Sequence, residues 1–548
     1  MQKTNSSITR LISIRNRYGK DLATEKIHLL QSISLKKVTN KKALQSFYEA
    51  LLFLMAHPDN KSIYTLASRS LEQLQLYVQD NEKMQHSLFN TGITNTRLCA
   101  AFSFEMVNWL RKTHPNDIQF SSFEMDDAQI QSILSVVMPK VESEILQDAN
   151  AAWRGWLGQS MKKEETMLDR LIAVFDGTDI RPEVKDELWN AIGVNVEINF
   201  SSHCALTGNL TTPYYHRSLI RKQIKQQIVT LPIRVRLDEA EATQIIDCSR
   251  MILVRHLREI DPVSFTAARL VSYYRLPRGL TVALMGMVPE RRHPIDSYMG
   301  YVVFKNGLPI AYAATWILFN SARIGLNVFP AYRGGESQYI FEQVLRLHSK
   351  VYRLKRFSVD PYQLGKENSD GIHSGAFWVY YHAGFRPVGK AQRELAAAEA
   401  LKIRSTPGYR SPASILKKLA DSRLELVLQN NAVRFDATDL SRAYAAILQK
   451  KIHNNRKPAE ERAVIKMATL LKIKNYQEEK INFILKNWCM LLLSNEAELR
   501  RNSPLKKSLK KLFELKAYGR EEDYILEIQR SSALRFFLEG VLKGLPVD

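Results

Sequence analysis

The sequence predicts an α/β domain with a mixed sheet, placed between two α-helical domains. Three observations support this fold class: a helical spacing of apolar residues in the N-terminal part, alternating strand-like and helix-like segments in the centre, and a return of the helical pattern afterwards. At 548 residues the chain is also too long for a single core. We expect a helical domain at 1–160, a connecting region at 161–224, an α/β domain at 225–400 and a basic helical domain at 413–548.

The predicted N-terminal helices are separated by segments rich in turn-forming residues. These segments lie at 57–60, 90–92 and 114–117, and each falls between stretches of helix length. The spacing predicts antiparallel helical hairpins. The connecting region ends in a segment at 216–225 that is rich in Lys and Arg, which indicates either a solvated basic helix or a phosphate contact.

The α/β domain is predicted to begin with a strand over 228–237, where apolar residues alternate, and a helix over 238–261. Extended runs follow at 280–287 and 299–304. Asn306-Gly307 lies between two apolar runs and predicts a two-residue hairpin, because a type I′ turn needs positive φ at both central residues. The remaining order of helix, strand, helix and strand is typical of an α/β fold with a mixed sheet.

The chain is strongly basic, with a net charge of +22 and a pI near 9.6. Residues 401–548 contain 29 Lys and Arg but only 17 Asp and Glu, so the C-terminal domain is its basic part. An excess of this size attracts phosphate groups. The basic helix faces therefore indicate either a solvated surface or a contact with nucleic acid or an acidic partner.

Cysteine usage and hydropathy predict a cytoplasmic protein. The cysteines occur singly, without the spacing of a disulfide framework or a Cys-x-x-Cys metal site. His203 beside Cys204 is a poor metal pair, because adjacent residues rarely face one ion. The longest apolar runs are far shorter than a bilayer span, and the first residues lack the apolar core of a secretory signal. We expect a reducing compartment, no metal and no membrane contact.

Three sequence blocks give the α/β domain its most specific signal. They lie at 298–307, 327–337 and 374–387, and the second contains Tyr-Arg-Gly-Gly-Glu-Ser. In this order they resemble the core of the GNAT acyltransferase superfamily. The resemblance covers about residues 225–390, while the flanks are only loosely similar to long bacterial proteins without an assigned activity. It implies a GNAT-like sheet whose fourth strand leads into a loop that holds the pyrophosphate of acetyl-CoA or another acyl-CoA.

The resemblance assigns the acyl-CoA site to this strand and loop. A helix N-terminus leaves backbone N–H donors unpaired, and glycine lets an anion approach closely. Glu336 stands where the family usually has glycine, unless the loop is one residue shorter, in which case Gly335 and Ser337 take the family's positions. Inside the loop the Glu336 carboxylate would repel the pyrophosphate by about 4 kcal/mol; we expect it to point outward, where it complements the helix N-terminus. The residues assigned to the cofactor are Asn327, Val328, Arg333, Gly334, Gly335 and Ser337.

Acyl transfer to an amine needs a base for the ammonium and an acid for the departing thiolate. On the family's pattern Tyr380 is the acid, with Tyr381 as the fallback if the register is one residue off. Asp360, at the end of a predicted strand, is the first candidate for the base. Glu336 and His373 remain alternatives for that role.

The leading prediction is an acyl-CoA-dependent N-acyltransferase. A small-molecule or protein amine would attack the thioester directly. One alternative is a GNAT-like transferase that uses aminoacyl-tRNA. Another is a non-catalytic scaffold that binds nucleic acid or a partner. A cleft between the fourth and fifth strands filled by Phe329, Phe357 or Trp378 would argue against catalysis.

Overall fold

The structure is a computed structural model that describes residues 2–38, 40–148, 152–159, 161–220, 232–451 and 456–544. The turn predicted at 57–60 is confirmed, and Asn60 caps the following helix by accepting a hydrogen bond from the Ile63 N–H at 3.0 Å. The N-terminal helices are α1 (Gln2–Ile14), α2 (Lys20–Ser32), α3 (Lys41–Ala56), α4 (Lys61–Gln79) and α5 (Glu82–Ser87).

A second unit surrounds a small antiparallel sheet in the order β1-β3-β2, formed by β1 (Leu98–Ala101), β2 (Ile118–Phe123) and β3 (Val194–Ile198). The predicted boundary at residue 160 is therefore wrong, because β3 pairs with strands that lie before it. Buried Trp153, Phe175 and Trp189 contribute to the core of this unit. Its helices are α6 (Phe104–Thr113), α7 (Asp127–Val137), α8 (Lys140–Asp148), α9 (Trp153–Gln159), α10 (Met167–Asp176) and α11 (Pro182–Ile192).

The central sheet has the order β12-β13-β11-β9-β8-β7-β6-β5-β4, and β10 also pairs with β8. Its neighbouring strands are antiparallel except for β9 and β11, which are parallel, so the predicted mixed sheet is confirmed. The strands are β4 (Ile233–Val235), β5 (Val271–Leu276), β6 (Leu280–Met285), β7 (Ser297–Lys305), β8 (Leu308–Leu318), β9 (Ser321–Ile324), β10 (Asn327–Val328), β11 (Arg356–Val359), β12 (Arg386–Pro387) and β13 (Leu424–Val427).

The hairpin, the first strand and the first helix predicted for this unit are all present in the structure. Asn306 and Gly307 have φ values of 49° and 83° and connect β7 to β8, which confirms the predicted hairpin. The first strand is confirmed at 233–235, while residues 228–231 of that prediction lie outside the described residues. The predicted helix over 238–261 is present as α12 (Glu239–Arg255), which ends earlier than predicted.

The sheet unit continues beyond its predicted end at residue 400. Two helices lie between β12 and β13, and β13 pairs with both β11 and β12. The segment at 404–412 therefore lies within the sheet unit and does not separate it from the C-terminal domain. The helices of the unit are α12 (Glu239–Arg255), α13 (Asp261–Ser264), α14 (Ser337–Val351), α15 (Pro361–Leu364), α16 (Ser369–Ser374), α17 (Ala376–His382), α18 (Lys390–Ser405) and α19 (Ala413–Ala420).

The two faces of the central sheet meet different partners. Ala322, Ile324, Phe357 and Val359 belong to the main core together with Phe341 of α14. Alternate residues point the other way, because successive side chains of a strand face opposite sides of a sheet. On that second face Ser321 donates a hydrogen bond to the Val433 carbonyl, at the start of the C-terminal unit.

The C-terminal unit is helical, as predicted, and has its own core around Trp488 and Phe513. Trp488 Nε1 donates to the Pro294 carbonyl at 2.9 Å and the Tyr524 hydroxyl to the Ile295 carbonyl at 2.6 Å, so the unit is anchored on the β6–β7 connection. Its helices are α20 (Ala437–Lys451), α21 (Arg456–Leu471), α22 (Glu479–Leu493), α23 (Glu496–Arg501), α24 (Ser503–Tyr518), α25 (Glu521–Arg530) and α26 (Ser532–Lys543).

The structure corrects the expectation for the cysteines. Cys204 and Cys248 form a disulfide that ties the loop before the central unit to α12, although they are 44 residues apart in sequence. Disulfides are typical of oxidising compartments, so cysteine usage no longer supports a reducing one. Among the described residues, no helix is long and apolar enough to cross a membrane.

Candidate functional site

The candidate site lies where the strand formed by β9 and β10 is interrupted. Both segments pair with β8, through Ile324 opposite Thr315 and Asn327 opposite Tyr312, whereas Gly325 and Leu326 between them are unpaired. In the part of the chain that the structure describes, β11 pairs with β9 and with no residue of β10. Strands β10 and β11 are therefore not held together by a hydrogen-bond ladder, and the sheet is open at this point.

Two tyrosines hold the peptide group between Gly325 and Leu326. The Tyr301 hydroxyl donates to the Gly325 carbonyl, and the Leu326 N–H donates to the Tyr380 oxygen at 3.2 Å. No described residue accepts the Tyr380 proton. Burial raises the pKa of Tyr380 to about 12, against the opposing effect of the Leu326 hydrogen bond. Tyr380 is therefore a neutral hydroxyl whose lone pair is engaged and whose proton is available.

Gln363, on α15, lies over the interruption. A Cβ atom placed on Gly325 would come within 3.1 Å of the Gln363 side-chain amide. A side chain at position 325 would therefore displace Gln363. Of the aromatic residues considered for the cleft, Phe329 stacks on His256 at 4.3 Å and Trp378 lines a surface basin, whereas Phe357 is buried in the main core that also contains Tyr380.

Arg333 links the loop after β10 to the helix after the next strand. Its Nη2 lies 2.9 Å from Asp370 of α16, and its Nε donates to the Val328 carbonyl at 3.2 Å. The Arg333 and Asp370 side chains are 44% and 60% exposed, so solvent screens the pair strongly. Gly334 follows with φ 80°, a conformation that favours glycine. An incoming anion at Arg333 would have to replace Asp370.

Glu336 does not point outward as expected; it is 1% exposed and points into the protein. Its carboxylate lies 2.6 Å from Arg278 and 2.9 Å from Lys305, and it accepts a hydrogen bond from the Ile220 N–H at 3.0 Å. Burial alone would raise the pKa of Glu336, but Lys305, the Ile220 N–H and Arg278 together lower it. The carboxylate is therefore ionised and neutralised, and it is unsuited to act as a base.

The N-terminal helices cover one side of this loop. Asn16 Nδ2 donates to the Gly334 carbonyl at 3.2 Å, and a Cβ on Gly335 would lie 3.3 Å from the His57 ring. His57 is fully buried, and burial holds its pKa well below the usual range, so the ring is neutral. The loop is thus fixed by residues from a distant part of the chain, since Asn16 and Gly334 are 318 residues apart.

The start of α14 adds further hydrogen-bond donors. Ser337 is its first residue, and Glu336 before it makes no side-chain cap. No described residue accepts the N–H groups of Ser337, Gln338 or Tyr339. Asn327 and Val328 lie half-buried in β10, on the strand that leads into this loop. The residues assigned to the cofactor from the sequence therefore occupy one continuous segment.

Asp360 follows β11 on the second face of the sheet, whereas Tyr380 lies in the main core with α14. The Asp360 carboxylate lies 3.3 Å from Arg323, whose guanidinium stacks on Trp316 at 4.5 Å. Burial raises the pKa of Asp360, while Arg323 lowers it. The two predicted catalytic side chains thus lie on opposite faces of the sheet.

The other catalytic candidates lie away from the interruption. Tyr381 is half-buried under the Arg386 guanidinium, which is 4.2 Å from its ring, and His373 is exposed on α16. Sequence reasoning missed Tyr301, Gln363 and Asp370. No local motif marks them, because each is defined by a partner on another strand or helix.

Comparison of the chain with protein-family models, with curated proteins and with solved structures finds no match in any of the three. Among the described residues, no group of three or more His, Cys, Asp or Glu side chains could hold a metal ion. Cys204, adjacent to His203, is engaged in the disulfide and is not a free thiolate ligand.

Proposed function

We propose that the protein is an N-acyltransferase of GNAT-like fold that takes its acyl group from acetyl-CoA or another acyl-CoA. The order of elements supports this proposal: antiparallel strands β7 to β9, a glycine-containing loop, helix α14, and then β11 parallel to β9. The acceptor would be a small-molecule or protein amine. A cytoplasmic location belongs to the proposal, and there the Cys204–Cys248 pair would meet a reducing environment.

The observation that carries the proposal is the peptide group between Gly325 and Leu326. Tyrosine side chains, and not a neighbouring strand, satisfy both polar atoms of this peptide. The Tyr380 oxygen is fixed by the Leu326 N–H, while its proton has no acceptor among the described residues. A fixed hydroxyl with a free proton can donate to a reacting atom.

Tyr380 and Asp360, on opposite faces of the sheet, would carry out different proton transfers of the reaction. Acyl-CoA would supply an activated acyl group. Tyr380 would donate its proton to the leaving sulfur, and its high pKa keeps that proton in place at neutral pH. Asp360 would accept one proton of the ammonium, aided by the burial that raises its pKa, so that the neutral amine attacks the acyl carbon. The nitrogen would lose its second proton as the C–S bond breaks, and this proton would return to the Tyr380 oxygen, while the proton on Asp360 passes to solvent.

The donor's pyrophosphate would be held at Arg333 and the first turn of α14. The unpaired N–H groups there and the positive end of the helix favour an anion. The charge of Glu336 does not oppose this, because Lys305 and Arg278 neutralise it inside the protein. Asp370 is the competitor, and its exposed ion pair with Arg333 is worth only about 0–1 kcal/mol.

Calorimetric titration of acetyl-CoA into the full-length protein tests the donor site. Micromolar binding is expected, and Arg333→Glu should abolish it. The matched control is Arg462→Glu, which makes the same charge change at an exposed position of α21. Equal affinity in both variants, or no binding to folded wild type, would contradict the proposed donor site.

A non-catalytic binding protein is the second candidate. The observation that favours it is the closed state of the loop, which is bridged to Asp370 on one side and covered by Asn16 and His57 on the other. A scaffold needs no more than this fixed arrangement. Folded wild type that fails to bind acetyl-CoA would favour this candidate, and binding of tRNA or other nucleic acid would then be measured.

A further inference from the structure

The insertion between β12 and β13 forms one wall of an open basin on the outside of the sheet unit. Helices α18 and α19 lie on one side and α16 and α17 on the other, around a cavity of about 1300 Å³. Neither Leu326 nor Tyr380 lines this cavity. The basin is therefore a separate surface from the interrupted strand, and acyl transfer gives it no role.

The charged side chains of the basin are mostly positive. Its acidic residues are Glu367 and Asp421, and Asp421 lies 3.7 Å from Lys366. The remaining cations form no ion pair with any described carboxylate. Unpaired Lys and Arg side chains around a concave surface favour the binding of phosphate groups. These unpaired cations are Arg410, Lys417 and Lys418.

An aromatic surface lies beside these cations. Trp378 lines the basin and is half-buried, with the His382 ring at 5.8 Å. The Trp378 Nε1 atom is buried and has no acceptor among the described residues. A nucleobase gains binding energy when it stacks on an aromatic side chain.

The loop that supplies Arg410 is held in place by a buried carboxylate. Glu399 is fully buried and accepts hydrogen bonds from the Tyr409 hydroxyl and the Ser411 hydroxyl, both at 2.9 Å. Lys402 lies 2.8 Å from the same carboxylate group. Arg410 is thus flanked by two anchored residues, so little conformational entropy is lost when it contacts a ligand.

We propose that this basin binds a nucleotide, with the base against Trp378 and the phosphates at Arg410, Lys417 and Lys418. The combination of an aromatic side chain on the wall and unpaired cations matches a base joined to phosphate. The nucleotide is either a free one or the nucleotide half of acyl-CoA, and these sources share the same chemistry; the second would place the pyrophosphate in the basin and not at Arg333. The site does not depend on acyl transfer.

Titration of ADP into the full-length protein by calorimetry tests the assignment. Lys417→Glu/Lys418→Glu should weaken ADP binding by about tenfold or more, which corresponds to about 1.4 kcal/mol. The control is Lys41→Glu/Lys42→Glu, an exposed lysine pair on α3, which should leave the affinity unchanged. Trp378→Leu should weaken ADP by at least about fivefold while inorganic pyrophosphate binds as to wild type.

Acetyl-CoA separates the two sources. If it competes with ADP and loses affinity in the same variants, the basin holds the nucleotide half of acyl-CoA; if it does not compete, the ligand is a free nucleotide, and both results support the site. Absence of ADP binding to folded wild type at millimolar concentration would overturn the proposal. Equal ADP affinity in all variants would do the same, as would a single-stranded decanucleotide that binds far more tightly than ADP through the same residues.

Discussion

Replacing Glu336 with Gln should destabilise the sheet unit by about 3–5 kcal/mol. The substitution keeps the size of the side chain but removes a negative charge that lies 2.6 Å from Arg278 and 2.9 Å from Lys305. The Lys305 side chain is fully buried, so the two cations would then face each other where water cannot screen them. The loss of stability arises from these uncompensated charges. The intact ion pair itself contributes little net stability, because its attraction is offset by the cost of desolvating both groups.

Hydrogen exchange of the α14 backbone amides measures the loss of stability within the sheet unit itself. This matters because a chain with several cores need not unfold in one step. Asp370→Asn is the matched control: it also removes a carboxylate from an arginine, but the pair is exposed, and the expected cost is below about 1 kcal/mol. If Glu336→Gln costs no more than the control, Glu336 is not the buried counterion described here.

The same variant has a predictable pH dependence. The pKa of Glu336 is lowered in the folded protein, so its stabilising contribution is complete above its ordinary pKa of 4.5 and is lost as the pH falls through the folded value. The stability difference between wild type and Glu336→Gln should therefore shrink on acidification below about pH 4.5. A difference that grows at low pH would contradict this assignment.

Three further predictions concern other parts of the fold. Reduction of the Cys204–Cys248 disulfide, which closes a 44-residue separation, should lower the unfolding free energy by about 4 kcal/mol in thermal melts with and without reductant; an unchanged melt would contradict it. Gly307→Ala should cost about 1–2 kcal/mol, because φ is 83°, whereas Gly158→Ala in α9 should not destabilise; equal melting temperatures would refute the turn geometry. Asp370→Asn should tighten acetyl-CoA binding by up to about fivefold in calorimetry, since it releases Arg333, and weaker binding would argue against the donor site.

Local sequence signals predicted the elements whose cause is local. The Asn306-Gly307 hairpin follows from the φ values that the turn needs, and the helical C-terminal unit follows from its apolar spacing. The small sheet of β1, β2 and β3 was not predicted as a sheet, because its strands are short and are brought together from positions almost 100 residues apart. Strand pairing between such distant segments cannot be detected from the residues of a short sequence window.

The candidate site shows the same limit. The segment from Asn327 to Ser337 was assigned through its resemblance to a family, and that assignment stays a prediction. The direction of Glu336 was predicted wrongly, because its partners Lys305 and Arg278 lie on β7 and in the β5–β6 turn. The disulfide was missed for the same reason. A buried charge is placed by its partners, and the sequence does not say which distant cations those are.

The proposed acyl transfer depends most directly on the Tyr380 hydroxyl as the proton donor to the leaving thiolate. The decisive measurement is CoA release, followed with a thiol reagent, from acetyl-CoA and a panel of small amines and lysine-containing peptides. Tyr380→Phe should reduce the rate by about 10²–10⁴ with the affinity for acetyl-CoA unchanged, whereas Tyr381→Phe should leave the rate within about twofold of wild type. Equal rates in wild type and Tyr380→Phe, or no CoA release from protein that binds acetyl-CoA, would contradict the proposed mechanism.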